Sequence, residues 1–192
     1  MAEKFGKMGN ILKTNPIGID VVVHNAQKKL IKLADKWNID LIGYPRCYIL
    51  INATEQKTIE HFEGGIDYSG TLIFAEENKF FFNLAENVEQ VSDSVYSAVL
   101  ELYFVIDTKK CYPNIKQRAD EEVRRDVLNV LNTIPHFGQK KVIVTNIDKV
   151  FNRFNNRISK NYEYEYTDDM QGYHCFKVLI PIPSYNLNDK LC

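Results

Sequence analysis

The sequence predicts an α+β fold: a mixed or mainly antiparallel β-sheet flanked by two amphipathic helices, with a long polar excursion before the last strand. Three observations carry this. Two stretches, residues 19–37 and 117–134, place apolar side chains at helical spacing. Several short β-rich runs lie between them. Residues 94–107 alternate over a length that suits a central strand. The chain has 192 residues, the size of one domain, and a core this large needs no metal or disulfide to fold.

Taken in order, residues 1–15 show little periodicity and read as a flexible arm, with Asn15-Pro16 as a stop. A single domain is expected over residues 16–183. The first helix carries Ile19, Val22, Val23, Ala26, Leu30, Leu33, Ala34 and Trp37 on one stripe, with Lys28, Lys29, Lys32 and Lys36 opposite. Gly43-Tyr44-Pro45 reads as a break. Strands are then expected over residues 47–52, 58–62, 71–74 and 79–84, forming an antiparallel meander. Gly64-Gly65, Ser69-Gly70 and Glu76-Glu77-Asn78 supply the turns. Phe80-Phe81-Phe82 puts rings on both faces of its strand.

In the long strand, Tyr96, Ala98, Leu100, Leu102, Phe104 and Ile106 share the face expected to lie under a helix. Cys111-Tyr112-Pro113-Asn114 reads as a turn. The second helix has Asp120, Glu121 and Glu122 in its first turn, where negative charge favours the helix dipole. Its stripe is Val123, Val127, Val130, Leu131 and Ile134, and Pro135 ends it. A strand is expected over residues 141–150 and another over 173–180, closed by Pro181 and Pro183. Between them, residues 152–172 form a polar arm or hairpin. Residues 184–192 read as a loose tail.

Little of this carries chemistry. The formal net charge is −1, so the basic excess expected of a nucleic-acid coat is absent. Basic stretches at residues 28–32 and 153–160 read as solvated faces. The four cysteines, Cys47, Cys111, Cys175 and Cys192, form no CxxC pair, which favours free thiols in a reducing compartment. Cys111, beside Lys109 and Lys110, is the thiol expected to be exposed. His174 and Cys175 adjoin in a strand and should point to opposite faces. His61 and Glu63 can share a face, but two ligands do not make a metal site. No phosphate loop, nucleophile elbow or zinc motif occurs. No catalytic, metal or cofactor-binding residue is therefore assigned, and no cofactor is expected. No leader-like or membrane-spanning stretch is evident, so no membrane partner is expected either. The candidate interface residues are Tyr162, Tyr164 and Tyr166, which would line one face of the polar arm, with Arg153 and Arg157.

The element order is arm, helix, meander, long strand, helix, strand, polar excursion, strand. It resembles the tail-terminator and head–tail connector proteins of tailed bacteriophages over residues 17–182. Residues 96–107, the helix entered through Arg118-Ala119-Asp120-Glu121-Glu122-Val123 and running to Leu131, and the closing strand 173–182 carry the resemblance. The meander is longer than the simplest members have. The resemblance implies a non-catalytic virion subunit, folded in the host cytoplasm. It would form a homo-oligomeric ring against neighbouring connector or tail proteins, with DNA passing through the lumen without sequence-specific contact. It transfers no functional residue. Two other classes stay open. A small enzyme with scattered residues would gather titratable groups in a deep pocket. An adaptor or nucleic-acid-binding module would present a contiguous basic face with exposed rings.

Overall fold

A computed structural model describes residues 9–51, 57–72, 78–135, 137–145 and 172–191. In chain order the elements are α1 (Ile19–Leu30), α2 (Leu33–Trp37), β1 (Leu41–Arg46), β2 (Tyr48–Ile51), β3 (Lys57–Glu63), β4 (Ile66–Thr71), β5 (Asn78–Ser92), β6 (Val95–Asp107), α3 (Thr108–Cys111), α4 (Asp120–Asn132), β7 (Lys141–Thr145) and β8 (Tyr173–Asn186). The fold is α+β. A five-stranded sheet has the order β1-β5-β6-β8-β7, and a three-stranded sheet has the order β2-β3-β4. The larger sheet is mixed, because β1 runs parallel to β5 while the other pairings are antiparallel.

Alternation along the strands divides the interior in two. Phe80, Phe82, Leu100, Leu102, Phe104, Ile106, Phe176, Val178 and Ile180 face the helices and pack with Val23, Ala26 and Leu30 of α1 and Val123, Val127 and Leu131 of α4. On the opposite face Phe81, Tyr103, Val105 and Cys175 form a second core with Ile42, Tyr44, Ile59 and Leu72. The second core joins the small sheet to the large one. Phe80, Phe81 and Phe82 are all fully buried, so the two-sided reading of that triplet holds. The expected α4 stripe is also buried, with Val130 only partly so.

Several expectations need correction. The first helix is interrupted at Ile31-Lys32, where the hydrogen bonding tightens to i→i+3: Lys32 N donates to Lys29 O and Ala34 N to Ile31 O. Asn38, in the left-handed conformation, ends α2. Gly43-Tyr44-Pro45 is not a break but part of β1. Proline is tolerated there because β1 is an edge strand. Gly43 is required because a Cβ would lie 2.2 Å from Asn10 Oδ1 and 2.5 Å from Phe80 Cζ. At Cys47, whose N donates to Phe82 O at 2.7 Å, the chain passes from the large sheet into the small one.

Within the small sheet, Ser69 and Gly70 lie in β4 rather than in a turn, while Gly64-Gly65 is a turn with both φ angles positive. The small sheet has three strands, and β5 belongs to the other sheet. Pro181 and Pro183 do not close β8, which continues to Asn186. The pairing with β7 ends at Leu179, and among the described residues only Gly138, whose N donates to Pro181 O, meets β8 beyond it, so neither proline lies opposite β7. Residues 146–150 of the expected seventh strand and all of the polar excursion from 152 to 171 lie outside the described residues.

Both terminal segments contact the body. Asn10 bridges to Gly43, and Ile11 N donates to Gly43 O. At the other end, Gly18 N donates to Asp189 O, and Ile17 bridges to Lys190. Substituting Gly43→Ala should displace Asn10 and crowd Phe80. The expected loss is about 1–3 kcal/mol, in line with overpacking of a filled core. A shift of the urea midpoint at unchanged slope is the measurement that checks it.

Candidate functional site

Three buried carboxylates hold the layers in register. Asp20, in the first turn of α1, accepts from Arg46 through Nε at 2.8 Å and Nη2 at 3.2 Å, and from Lys13 Nζ at 3.2 Å. Lys13 also reaches Asp67 of β4 at 3.0 Å. The Arg46 guanidinium lies 4.9 Å over the Tyr48 ring, which packs against Tyr68. One charge-balanced junction thus ties the N-terminal segment, α1, β1, β2 and β4 together. Burial by itself would raise the Asp20 pKa, but Arg46 and then Lys13 outweigh it and hold the carboxyl below its ordinary value.

Asp126 of α4 is the second. It accepts from Trp37 Nε1 at 2.9 Å, from Lys36 Nζ at 2.5 Å and from the Tyr112 hydroxyl. Burial opposes ionisation here too, and Lys36, Tyr112 and Trp37 more than offset it. Glu101 is the third. On the face of the sheet away from the helices it binds Lys177 Nζ at 2.9 Å, the Tyr103 hydroxyl at 3.0 Å and Asn83 Nδ2 at 3.2 Å. Each is explained as a structural ion pair that fixes one packing arrangement, and none lines the groove between α1 and the end of β8.

A different feature marks the end of the molecule where the β5–β6 hairpin turns. The turn is Asp93-Ser94, and Leu187 N donates to Ser94 O at 2.9 Å. The bonds of Gly18 and Ile17 to Asp189 and Lys190 bring the start of α1 to the same place. Ile17 (55% exposed), Leu187 (46%) and Leu191 (36%) therefore belong to one end face, with Val91 (59%) two residues before the turn. Beside it lies a groove of about 730 Å³ between α1, residues 134–137 and the end of β8. Its apolar lining includes Val22, Ile134, Phe137 and Tyr185, and Lys28 and Lys29 also line it. Lys29 is engaged through Nζ with Thr133 O at 2.7 Å, at the C-terminus of α4, whereas Lys28 is exposed. The volume is within the range of ligand clefts.

The candidate interface residues Tyr162, Tyr164, Tyr166, Arg153 and Arg157 lie outside the described residues. Cys111 is not an exposed thiol. It is buried at the end of α3, and burial, followed by Asp107 and Asp126, pushes its pKa up to about 12. His174 and Cys175 do face opposite ways: His174 stacks on Phe176 in the helix-side layer and approaches Asp120 at 3.6 Å, while Cys175 joins the second core. His61 is buried against Tyr44 and Glu63 is exposed. Among the described residues no three His, Cys, Asp or Glu side chains gather as a metal site, and no helix is long and apolar enough to cross a membrane. The end face escaped sequence reading because its members are far apart in the chain. The only local signal was a valine pair, Val88 and Val91, in a polar stretch.

No family model matches the chain, and no curated protein or solved structure matches it significantly.

The Asp20 junction has a defined pH signature. A carboxyl whose pKa is lowered by folding binds fewer protons folded than unfolded. Its contribution is therefore complete above the unfolded value, near pH 4, and is lost as pH falls through the lowered folded value. Asp20→Asn should cost about 1–3 kcal/mol at neutral pH. It should also flatten the decline in stability between about pH 5 and 2, as read from urea midpoints in a pH series.

Proposed function

We propose that the protein is a non-catalytic structural subunit that assembles with copies of itself, in the manner of a bacteriophage head–tail connector or tail-terminator ring. The observation that carries this reading is the end face where Ile17, Val91, Leu187 and Leu191 stand exposed around the hairpin turn. A contiguous exposed apolar patch marks an association surface, and we read these side chains, drawn from three separate segments, as one. The segments are fixed there by backbone hydrogen bonds, so the surface is preformed, and association would not have to order it first.

Element order supports the ring family in particular: helix, small antiparallel sheet, long central strand, helix, and a closing strand that pairs beside the central one. The buried carboxylates support a rigid body, which is what a repeated subunit needs. DNA in the lumen, neighbouring virion proteins and a virion location belong to the same proposal.

Light scattering on the purified chain from about 1 to 100 µM should give one discrete mass larger than a dimer, and negative-stain microscopy should show closed rings. A strict monomer over that range, by itself and with the neighbouring tail proteins, would sink the proposal.

A further inference from the structure

We propose that the groove between α1 and residues 134–137 receives the β5–β6 hairpin, residues 88–93, of a second copy; this rests on the self-assembly reading above. The two surfaces match in chemistry. The hairpin presents Val88 and Val91, both exposed, on a segment whose residues 88–94 include Glu89 and Asp93 and no basic residue. The groove is lined by Val22, Ile134, Phe137 and Tyr185, with Lys28 and Lys29 on its α1 side and Asp189 beyond the end of β8; Lys28 is exposed and Lys29 is held to Thr133 O. An apolar floor with a basic α1 edge complements an apolar tip that carries acidic residues.

The occupant has to come from another molecule. Val95, the first residue after the hairpin turn, is itself part of the groove wall, and so is Asn186 opposite it. The ladder is closed on both sides there, by Ser92 with Val95 and by Val95 with Asn186. A tip rooted in the wall of its own groove cannot fold back into that groove without breaking these pairs. In a second copy no such constraint applies. The contact joins two different surfaces, so repetition head to tail builds a ring, whereas reciprocal exchange between two copies stops at a dimer.

The test uses two variants of the full chain, each altered only at exposed positions so that the fold is kept. Val88→Asp with Val91→Asp disables the hairpin and leaves the groove intact. Asn25→Trp with Lys28→Glu obstructs the groove and leaves the hairpin intact. Each is expected to be monomeric, with a urea midpoint close to that of the unaltered protein. Mixed at equal concentration, they are expected to form a one-to-one complex by light scattering, because one good hairpin and one good groove remain, and added salt should weaken that complex. If the unaltered protein associates and both variants associate equally well, the groove assignment is overturned while the assembly reading stands. If both variants are monomeric but the mixture forms no complex, the pairing of hairpin with groove is likewise overturned. An unaltered protein that is monomeric throughout overturns both. A mass that stops at two copies, with the mixing result intact, keeps the groove contact and removes the ring.

Discussion

Strand β6 has ladder partners on both edges along nearly its whole length, and the remaining layers are positioned by that pairing. Its register with β5 runs from Lys79–Val105 to Ser92–Val95, and with β8 from Asp107–Tyr173 to Val95–Asn186. A one-residue slip in either would exchange the two faces and send Leu100, Leu102, Phe104 and Ile106 away from the helices. The cost of that exchange is large, because both faces are buried by different material: α1, α2 and α4 on one side, the small sheet on the other. The order of layers follows from one strand that is apolar on both sides.

Hydrophobic burial specifies which faces meet but not their relative angle or offset, and the buried carboxylates supply that. Asp20 fastens α1 to β1, Asp126 fastens α4 to α2 and to the loop after α3, and Glu101 links β5, β6 and β8 across the sheet. Each has a basic partner, and Asp126 and Glu101 also accept from neutral donors, so the desolvation of the charge is offset within the site. Removing one partner would leave a buried charge, which makes alternative packings costly. Their contribution is to the uniqueness of the arrangement more than to net stability.

What could be read from the sequence divides along the same line. The alternation in β6, the α4 stripe and the phenylalanine triplet were legible because each is a local period, and local periods report faces. Strand β1 was not, because glycine and proline look like turn residues unless the partner strand and the edge position are known; the close approach of Asn10 and Phe80 to Gly43 explains the glycine. The prolines of β8 misled for the same reason, since their tolerance depends on β7 having already ended. Nothing local marked Asp20 or Asp126, because their partners are 26 and 89 positions away. Cys111 looked exposed beside two lysines, and the packing of α3 against α4 and β8 buries it. The end face was the least legible feature, being made from residues near 17, 91 and 187–191.

That end face also accounts for why both terminal segments are drawn to the body. Part of this ordering serves the core, since Ile11 packs against the second cluster and Lys13 pairs with Asp20 and Asp67; the exposed residues Ile17, Leu187 and Leu191 do not. Gly18 and Ile17 bond to the C-terminal segment, Leu187 bonds to the hairpin turn, and Gln27 of α1 donates to the carbonyls of Ile11 and Gly43. These bonds order main chain at an entropic cost of about 1–2 kcal/mol per residue. They expose rather than bury Ile17, Leu187 and Leu191, so the return from hydrophobic burial is missing within the single chain. Association of copies at this end would supply it, since the area left uncovered here would be removed from water there. On the proposed self-assembly, these three uncovered side chains are one half of a contact.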